Sequence, residues 1–255
     1  MQPLKNRKVS ERDEGKRAGL ARALSKLGYC SRAKAAELIR AGKVRLNGRV
    51  QRAPETPVRM EKDRIEVDGQ RVGAAEKIYL ILNKPRGVVT TASDEQGRET
   101  VYDYLDEDSK WLAPVGRLDK ASEGLLLLTN DPEWAARVTT PETHLDKTYH
   151  VQVGVIADDV LLRNLENGVR TRDGELLSAK RARLLRSGGR NSWLEIVLDE
   201  GKNRQIRRML EHFKIEVLRL IRVAIGPIEL RDLAKGEKRP LAQREKRLLD
   251  AGMRP

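Results

Sequence analysis

The chain is poor in cysteine, histidine and aromatic residues. Cys30 is the one cysteine among 255 residues, so no internal disulfide can form and a reducing compartment is expected. The three histidines, His144, His150 and His212, do not cluster in sequence, and each is expected to be structural. No zinc-ligand spacing, phosphate-binding Gly-rich loop or dinucleotide fingerprint occurs. No apolar run approaches the 18 residues needed to span a bilayer. The N-terminus, MQPLKNRKVSERDEGKR, is basic and polar where a signal peptide would be apolar. The expectation is a cytoplasmic protein, a monomer away from membranes, with no metal site.

Negative charge is also in short supply. The formal net charge is +13, which points to a polyanionic partner, most often nucleic acid. Residues 1–72 hold 19 Lys/Arg against 9 Asp/Glu, whereas residues 73–255 hold 32 against 29. A basic binding module joined to a balanced body is expected.

Periodicity divides the chain further. Residues 1–18 are charged, lack aromatics and read as a disordered basic tail. In LARALSKLG, Leu20, Ala23, Leu24 and Leu27 share a helical face, and Gly28 suits the stop. Ser31 can cap a second helix, RAKAAELIRAG. The Asn47-Gly48 pair in KVRLNGRV signals a hairpin, and RIEVDGQRV reads as another strand and turn. Residues 26–52 carry eight basic side chains and one acid, Glu37. A charge run is often only a solvated face. One sign of charge on a compact helix-helix-hairpin favours phosphate contact instead. Tyr29 is its lone aromatic, so backbone and shape recognition are expected rather than base stacking.

From Lys77 onward, strands alternate irregularly with helices. KIYLILNKP, GLLLLTN, KTYHVQVGV, SAKRARLLR, SWLEIVLDE and EVLRLIRVAIGPIEL read as strands. TVYDYL, PEWAARV (capped by Asp131), DDVLLRNLENG and NRQIRRMLEHF read as helices. Without a regular βαβ repeat, the expectation is an α+β fold: a mixed, mainly antiparallel sheet with flanking helices, beside the small N-terminal domain. Residues 69–76 read as a linker, 77–240 as the larger domain and 241–255 as a C-terminal tail.

One pattern is out of place for a buried strand. VGRLDKASEGLLLLTND sets Arg117 and Asp119 just ahead of an apolar run. In extended chain, residues i and i+2 point the same way, so both could enter one cleft. A surface ion pair is the plain alternative.

Two family resemblances bear on these residues. LSKLGYCSRAKAAELIRAGKVRLNG resembles the small RNA-binding domain of a small-subunit ribosomal protein and of many RNA-modifying enzymes, over residues 19–68. The resemblance implies that the second helix and the hairpin entry face structured RNA, through Lys26, Ser31, Arg32, Lys34, Arg40, Lys43 and Arg45. GRLD…GLLLLTND, together with LNKPRGVVT, DKTYHVQV and LDEGKNRQIRRML, resembles the bacterial ribosomal RNA pseudouridine synthases of the RsuA-like family. That resemblance runs over residues 19–240 and implies the isomerisation of uridine to pseudouridine in ribosomal RNA without a cofactor.

By the same resemblance, Asp119 is the essential aspartate that acts at ribose C1′ of an extruded uridine. Tyr149 stacks on the uracil and can assist removal of the C5 proton. Arg207 pairs with the aspartate. Arg117 holds or replaces the extruded base, and Leu220 walls the pocket. Lys84, Lys202 and Arg204 are further expected substrate contacts. The reaction breaks N1–C1′ and makes C5–C1′, either after attack on C1′ or through a glycal. Two other classes stand beside it: a non-catalytic RNA-binding or ribosome-assembly factor, and a glycosidase. The glycosidase needs a second carboxylate, for which Glu123 is the nearby acid.

Overall fold

Leu20, Ala23 and Leu24 recur at helical spacing. In a computed structural model, which describes residues 17–92, 94–106 and 111–253, they are fully buried. They lie on α1 (Leu20–Lys26), which follows a short strand, β1 (Ala18–Gly19). The expected disordered tail lies outside the described residues as far as position 16. Gly28, at φ +76°, turns the chain, and the Ser31 hydroxyl accepts from the Lys34 amide at 3.1 Å to start α2 (Arg32–Arg40). Asn47 and Gly48 both take positive φ, the geometry that matches a two-residue turn to the strand twist. They join β2 (Val44–Leu46) to β3 (Arg49–Gln51). After β4 (Pro57–Val58), which pairs with β1, β5 (Ile65–Val67) and β6 (Gln70–Arg71) complete a sheet ordered β3-β2-β5-β6. Ala35, Ile39, Val44 and Val58 close its core.

The chain divides between Ala75 and Glu76. Most of the segment expected to be a linker is therefore tied into the first unit. Besides β6, the Val72 amide donates to Ile65 and the Ala75 amide to Leu27.

The second unit is built on one mixed sheet. Its strands are β7 (Tyr79–Lys84), β8 (Ala113–Val115), β9 (Glu123–Thr129), β10 (Lys147–Val153), and, beyond a small β11 (Val169–Arg170) and β12 (Leu176–Leu177) pair, β13 (Arg181–Ser187), β14 (Ser192–Leu198), β15 (Val217–Ile225), β16 (Ile228–Glu229) and β17 (Lys238–Pro240). The order is β13-β14-β10-β15-β9-β7-β17, with β16 on β15 and β8 on β9. The β9–β15 contact is parallel and the other pairings are antiparallel, which meets the α+β expectation. The helices are α3 (Pro132–Thr139), α4 (Asp159–Asn167), α5 (Gln205–His212) and α6 (Gln243–Gly252).

The apolar run Leu125–Leu128 is explained by its position. Leu125 and Leu127 pack into the core that holds Trp134 and Leu249, while Leu126 and Leu128 pack with Leu82, Val101 and Leu118 on the other side. A strand covered on both faces reads as continuous rather than alternating. The expected C-terminal tail is ordered over its described residues. Leu249 of α6 and Met253 are buried in the core with Trp134, whose indole N–H donates to Asp250 at 2.8 Å.

Strands β9 and β15 meet where Gly124 faces Arg222. Gly124 takes φ +106°, and a Cβ there would lie 2.3 Å from the Arg222 carbonyl oxygen and 2.8 Å from its nitrogen. Only glycine permits this approach. Gly124→Ala should destabilise the second unit by about 3 kcal/mol or more, from backbone strain and lost pairing. Thermal unfolding measures it, and an unchanged midpoint would show that the two backbones are not held this close.

Candidate active site

Arg117 and Asp119 do not lie on a strand. They belong to the connection between β8 and β9. What fixes an irregular segment is where its backbone hydrogen bonds go. Here five consecutive carbonyls are satisfied. Leu118 accepts from the Thr90 hydroxyl at 2.8 Å. Asp119 accepts from the Ser122 amide at 2.9 Å and from the Lys84 ammonium at 3.3 Å. Lys120 accepts from the Gly87 amide at 2.7 Å, Ala121 from the Arg207 guanidinium at 3.1 Å, and Ser122 from Lys84 at 2.8 Å. Leu118 is itself buried in the core. The segment is pinned by its backbone, and the Asp119 side chain is left to face a cleft.

That cleft has a volume of about 580 Å³, the size of small-molecule and cofactor sites. Its lining includes Arg117, Asp119, Tyr149, Lys202, Arg204 and Leu220, six of the residues singled out from sequence. Tyr149 projects from β10 between Ile196 of β14 and Arg222 of β15. Leu220 is buried beside it on β15. Arg204 takes the left-handed conformation at the N-cap of α5, which brings its guanidinium to 3.8 Å from the Asp119 carboxylate. Lys202 lies between Glu200 at 3.1 Å and Glu175 at 3.4 Å. Five cations, Arg117, Lys147, Lys202, Arg204 and Arg222, line the cleft against two acids, Asp119 and Glu200. Such an excess favours a polyanion.

Three expected roles change on this geometry. The side chain at ion-pair distance from Asp119 is Arg204, not Arg207. Arg207 is half-buried one turn into α5 and donates to the Ala121 and Val217 carbonyls. It steadies the loop, and it feels Asp119 only through space. Its pKa is lowered, by burial first and then by Arg204, with Asp119 acting in the opposite sense. Lys84 cannot touch a substrate, because it is fully buried. Its ammonium donates to the Pro85, Asp119 and Ser122 carbonyls. Burial pushes its pKa down to about 8, with Asp119 and Glu123 pulling up and Arg222 pushing further down. In the first unit, the Ser31 hydroxyl is engaged in capping α2. Arg32, Lys34, Arg40, Lys43 and Arg45 are exposed and Lys26 is half-buried; Lys34 pairs with Glu37 at 3.1 Å and Lys43 with Asp68 at 3.9 Å.

Glu123 is no second carboxylate for a glycosidase. It is buried, held by Arg219 at 2.9 Å and Lys235 at 2.8 Å, and does not line the cleft. Burial raises its pKa, but the bonds from Arg219 and Lys235 outweigh this and leave it lowered. Sequence reading missed Thr90, which holds the loop, and Lys147 and Arg222, which line the cleft. A period-two signal pointed to the last two. Lys147 precedes Tyr149 by two residues, and Arg222 follows Leu220 by two, so each shares a strand face with a residue already chosen.

Residues 78–212 match the RNA pseudouridylate synthase family, and residues 19–65 match the S4 domain. The ribosomal large subunit pseudouridine synthase B of Bacillus subtilis (strain 168) is 40% identical over 234 residues, which cover 91% of this chain and 95% of that protein. An uncharacterized RNA pseudouridine synthase of Aquifex aeolicus (strain VF5) is 40% identical over 223 residues, covering 87% and 89%. A solved crystal structure of a pseudouridylate synthase is similar with a TM-score of 0.65 at 29% identity, over 91% of this chain and 99% of that one. Since the family match takes in the Asp119 loop, Tyr149 and Arg204 together, and the relatives run across both units, the chain belongs to the RNA pseudouridylate synthases, as an RsuA-like isomerase carrying an S4 domain.

Proposed function

We propose that this chain isomerises a uridine of ribosomal RNA to pseudouridine, with Asp119 acting at ribose C1′ of a nucleotide turned out of its stack. The observation that carries the reading is the Asp119 loop. Its five carbonyls from Leu118 to Ser122 are all bonded, and its carboxylate faces a cleft floored by Tyr149 and Leu220. Ribosomal RNA as the substrate class rests on the Bacillus subtilis relative, which is named for the large ribosomal subunit.

The chemistry asks for a carboxylate at the sugar and a flat apolar surface for the base. Arg204, 3.8 Å from the Asp119 carboxylate, gives it a cationic partner at the cleft. A nucleotide must leave its stack to reach it, at a cost of a few kcal/mol. Tyr149 and Leu220 offset part of that cost by covering the extruded uracil. Asp119 then serves C1′, as nucleophile or as base at C2′, while the base turns to present C5. Tyr149, lining the cleft against that base, can assist loss of the C5 proton. Arg117 and Lys202 at the cleft suit the flanking phosphates. The basic first unit supplies RNA affinity, so affinity and chemistry are divided between the two units.

Tritium release from C5-labelled uridine in ribosomal RNA tests this directly. The intact protein should release tritium in step with pseudouridine formation. Asp119→Asn, which keeps the shape and loses the carboxylate, should abolish release while folding and RNA affinity stay near those of the parent. Turnover near the parent rate would remove Asp119 from the chemistry. A second expectation concerns the first unit. Replacing Arg32, Arg40 and Arg45 together by alanine in the full chain should flatten the log-affinity against log-salt slope by about 0.7 per lost contact on single strands and 0.9 on duplex. Single-turnover rates at saturating RNA should fall less than affinity. An unchanged slope would make this basic face merely solvated.

A further inference from the structure

The floor of the cleft holds two cations that the reading above does not use. Lys147 and Tyr149 stand two apart on β10, and Leu220 and Arg222 two apart on β15, with Tyr149 opposite Arg222 in the register. All four line the cleft. Arg222 is only 6% exposed. Its Nε donates to the Leu125 carbonyl at 2.8 Å, and its Nη2 is buried with no hydrogen-bond partner. Lys147 is half-buried. Burial lowers its pKa and Arg222 lowers it further, against weaker pulls from Asp199 and Asp146. Asp146 is itself paired with Lys180 at 2.8 Å.

A buried guanidinium nitrogen without an acceptor is costly. A second cation beside it on the same floor adds repulsion. Such an arrangement is stabilised when negative charge arrives, and a cation fixed in advance of that charge lowers the barrier to forming it. On the proposed reading phosphates do not fill this need, because they flank the sugar, where the exposed Arg117 suits them. The group placed against Tyr149 is the base.

The base becomes negative during the proposed reaction. When N1–C1′ breaks, the electron pair stays with uracil, and its charge spreads from N1 onto the O2 and O4 carbonyl oxygens. C5 of that anion then bonds to C1′, the C5 proton leaves, and N1 takes up a proton. No oxidant, reductant or other group is consumed. This holds whether Asp119 attacks C1′ or the sugar passes through a glycal.

We infer that Arg222 is a further catalytic residue, which accepts the charge of the departing uracil at a carbonyl oxygen, with Lys147 as a second cation on the same floor. The inference rests on the proposed isomerisation, and the test separates the two. Single-turnover loss of the target nucleotide is measured by digestion and chromatography on ribosomal RNA transcripts containing uridine or 5-fluorouridine. Fluorine stabilises the departing anion by itself, so it should reduce the need for Arg222. The proteins are the parent, Arg222→Gln, Arg222→Lys and Lys147→Met, all as full chains. Arg222→Gln should slow the uridine reaction on the order of 10²-fold, as loss of one preorganised donor does. The loss on 5-fluorouridine should be several-fold smaller, Arg222→Lys should recover part of the uridine rate, and RNA affinity should hold. Equal losses on both RNAs would mark Arg222 as structural and overturn the inference while the isomerase reading stands. If Arg222→Gln does not fold, Lys147→Met decides on the same ratio, with a loss selective for uridine expected and an equal or absent loss overturning the claim. A parent protein that forms no pseudouridine would overturn both.

Discussion

A buried ammonium organises the candidate active site. Lys84 stands at the end of β7, fully enclosed, and its three donors meet three carbonyls, those of Pro85, Asp119 and Ser122. A cation removed from water costs several kcal/mol unless its hydrogen bonds are replaced. Each carbonyl bond restores part of that cost and also fixes a point of the loop. The remaining carbonyls go to Thr90, Gly87 and Arg207. Elements as distant in sequence as β7 and α5 therefore converge on one segment of backbone. The side chain left over is Asp119, and its place is determined by bonds that it does not itself make.

This arrangement separates two tasks for positive charge. Lys84 and Arg207 bind backbone and position the loop. Arg117, Arg204 and Lys202 line the cleft, Arg204 against Asp119 and Lys202 between Glu200 and Glu175, and with Lys147 and Arg222 they leave the cleft an excess of positive charge that suits a polyanion. Arg222 belongs to a third group: its Nη2 is buried and unpartnered, as the Nε of Arg207 is, but unlike Arg207 it lines the cleft, beside the surface on which the base is proposed to rest. The same side-chain chemistry thus supports the loop and is proposed to serve the substrate and the departing base, according to whether the charged group reaches the cleft.

Much of this was legible in the sequence because strong local signals survived folding. Ser31, Asn47-Gly48 and Asp131 act at short range, and the elements they punctuate formed as expected. The apolar Leu125–Leu128 run foretold a buried strand, and the structure covers it on both faces. Asp119, Tyr149 and Leu220 share one cleft, as their motifs implied. The roles of the basic residues were not legible. Arg204 and Arg207 both follow a strand and enter a helix, and only the left-handed backbone at Arg204 decides which one reaches the carboxylate. Lys84 carries no sign in sequence that its ammonium faces inward. The ordered C-terminal helix was missed because its stripe is thin, with Leu249 and Met253 buried on an otherwise charged segment. β8 was missed because WLAPV carries a proline and no alternation.

Lys84 holds the Asp119 loop in place through the Asp119 and Ser122 carbonyls. Amide hydrogen exchange in the parent and in Lys84→Met, read beside the isomerisation rate at saturating RNA, tests it most directly. In Lys84→Met, exchange should be faster at the Ser122 amide, which donates to Asp119, and at the Gly87 amide, which donates to Lys120. The amides of β9 should keep their protection, and the rate should collapse without loss of RNA affinity. Unchanged exchange at Ser122 and Gly87 together with an unchanged rate would contradict it.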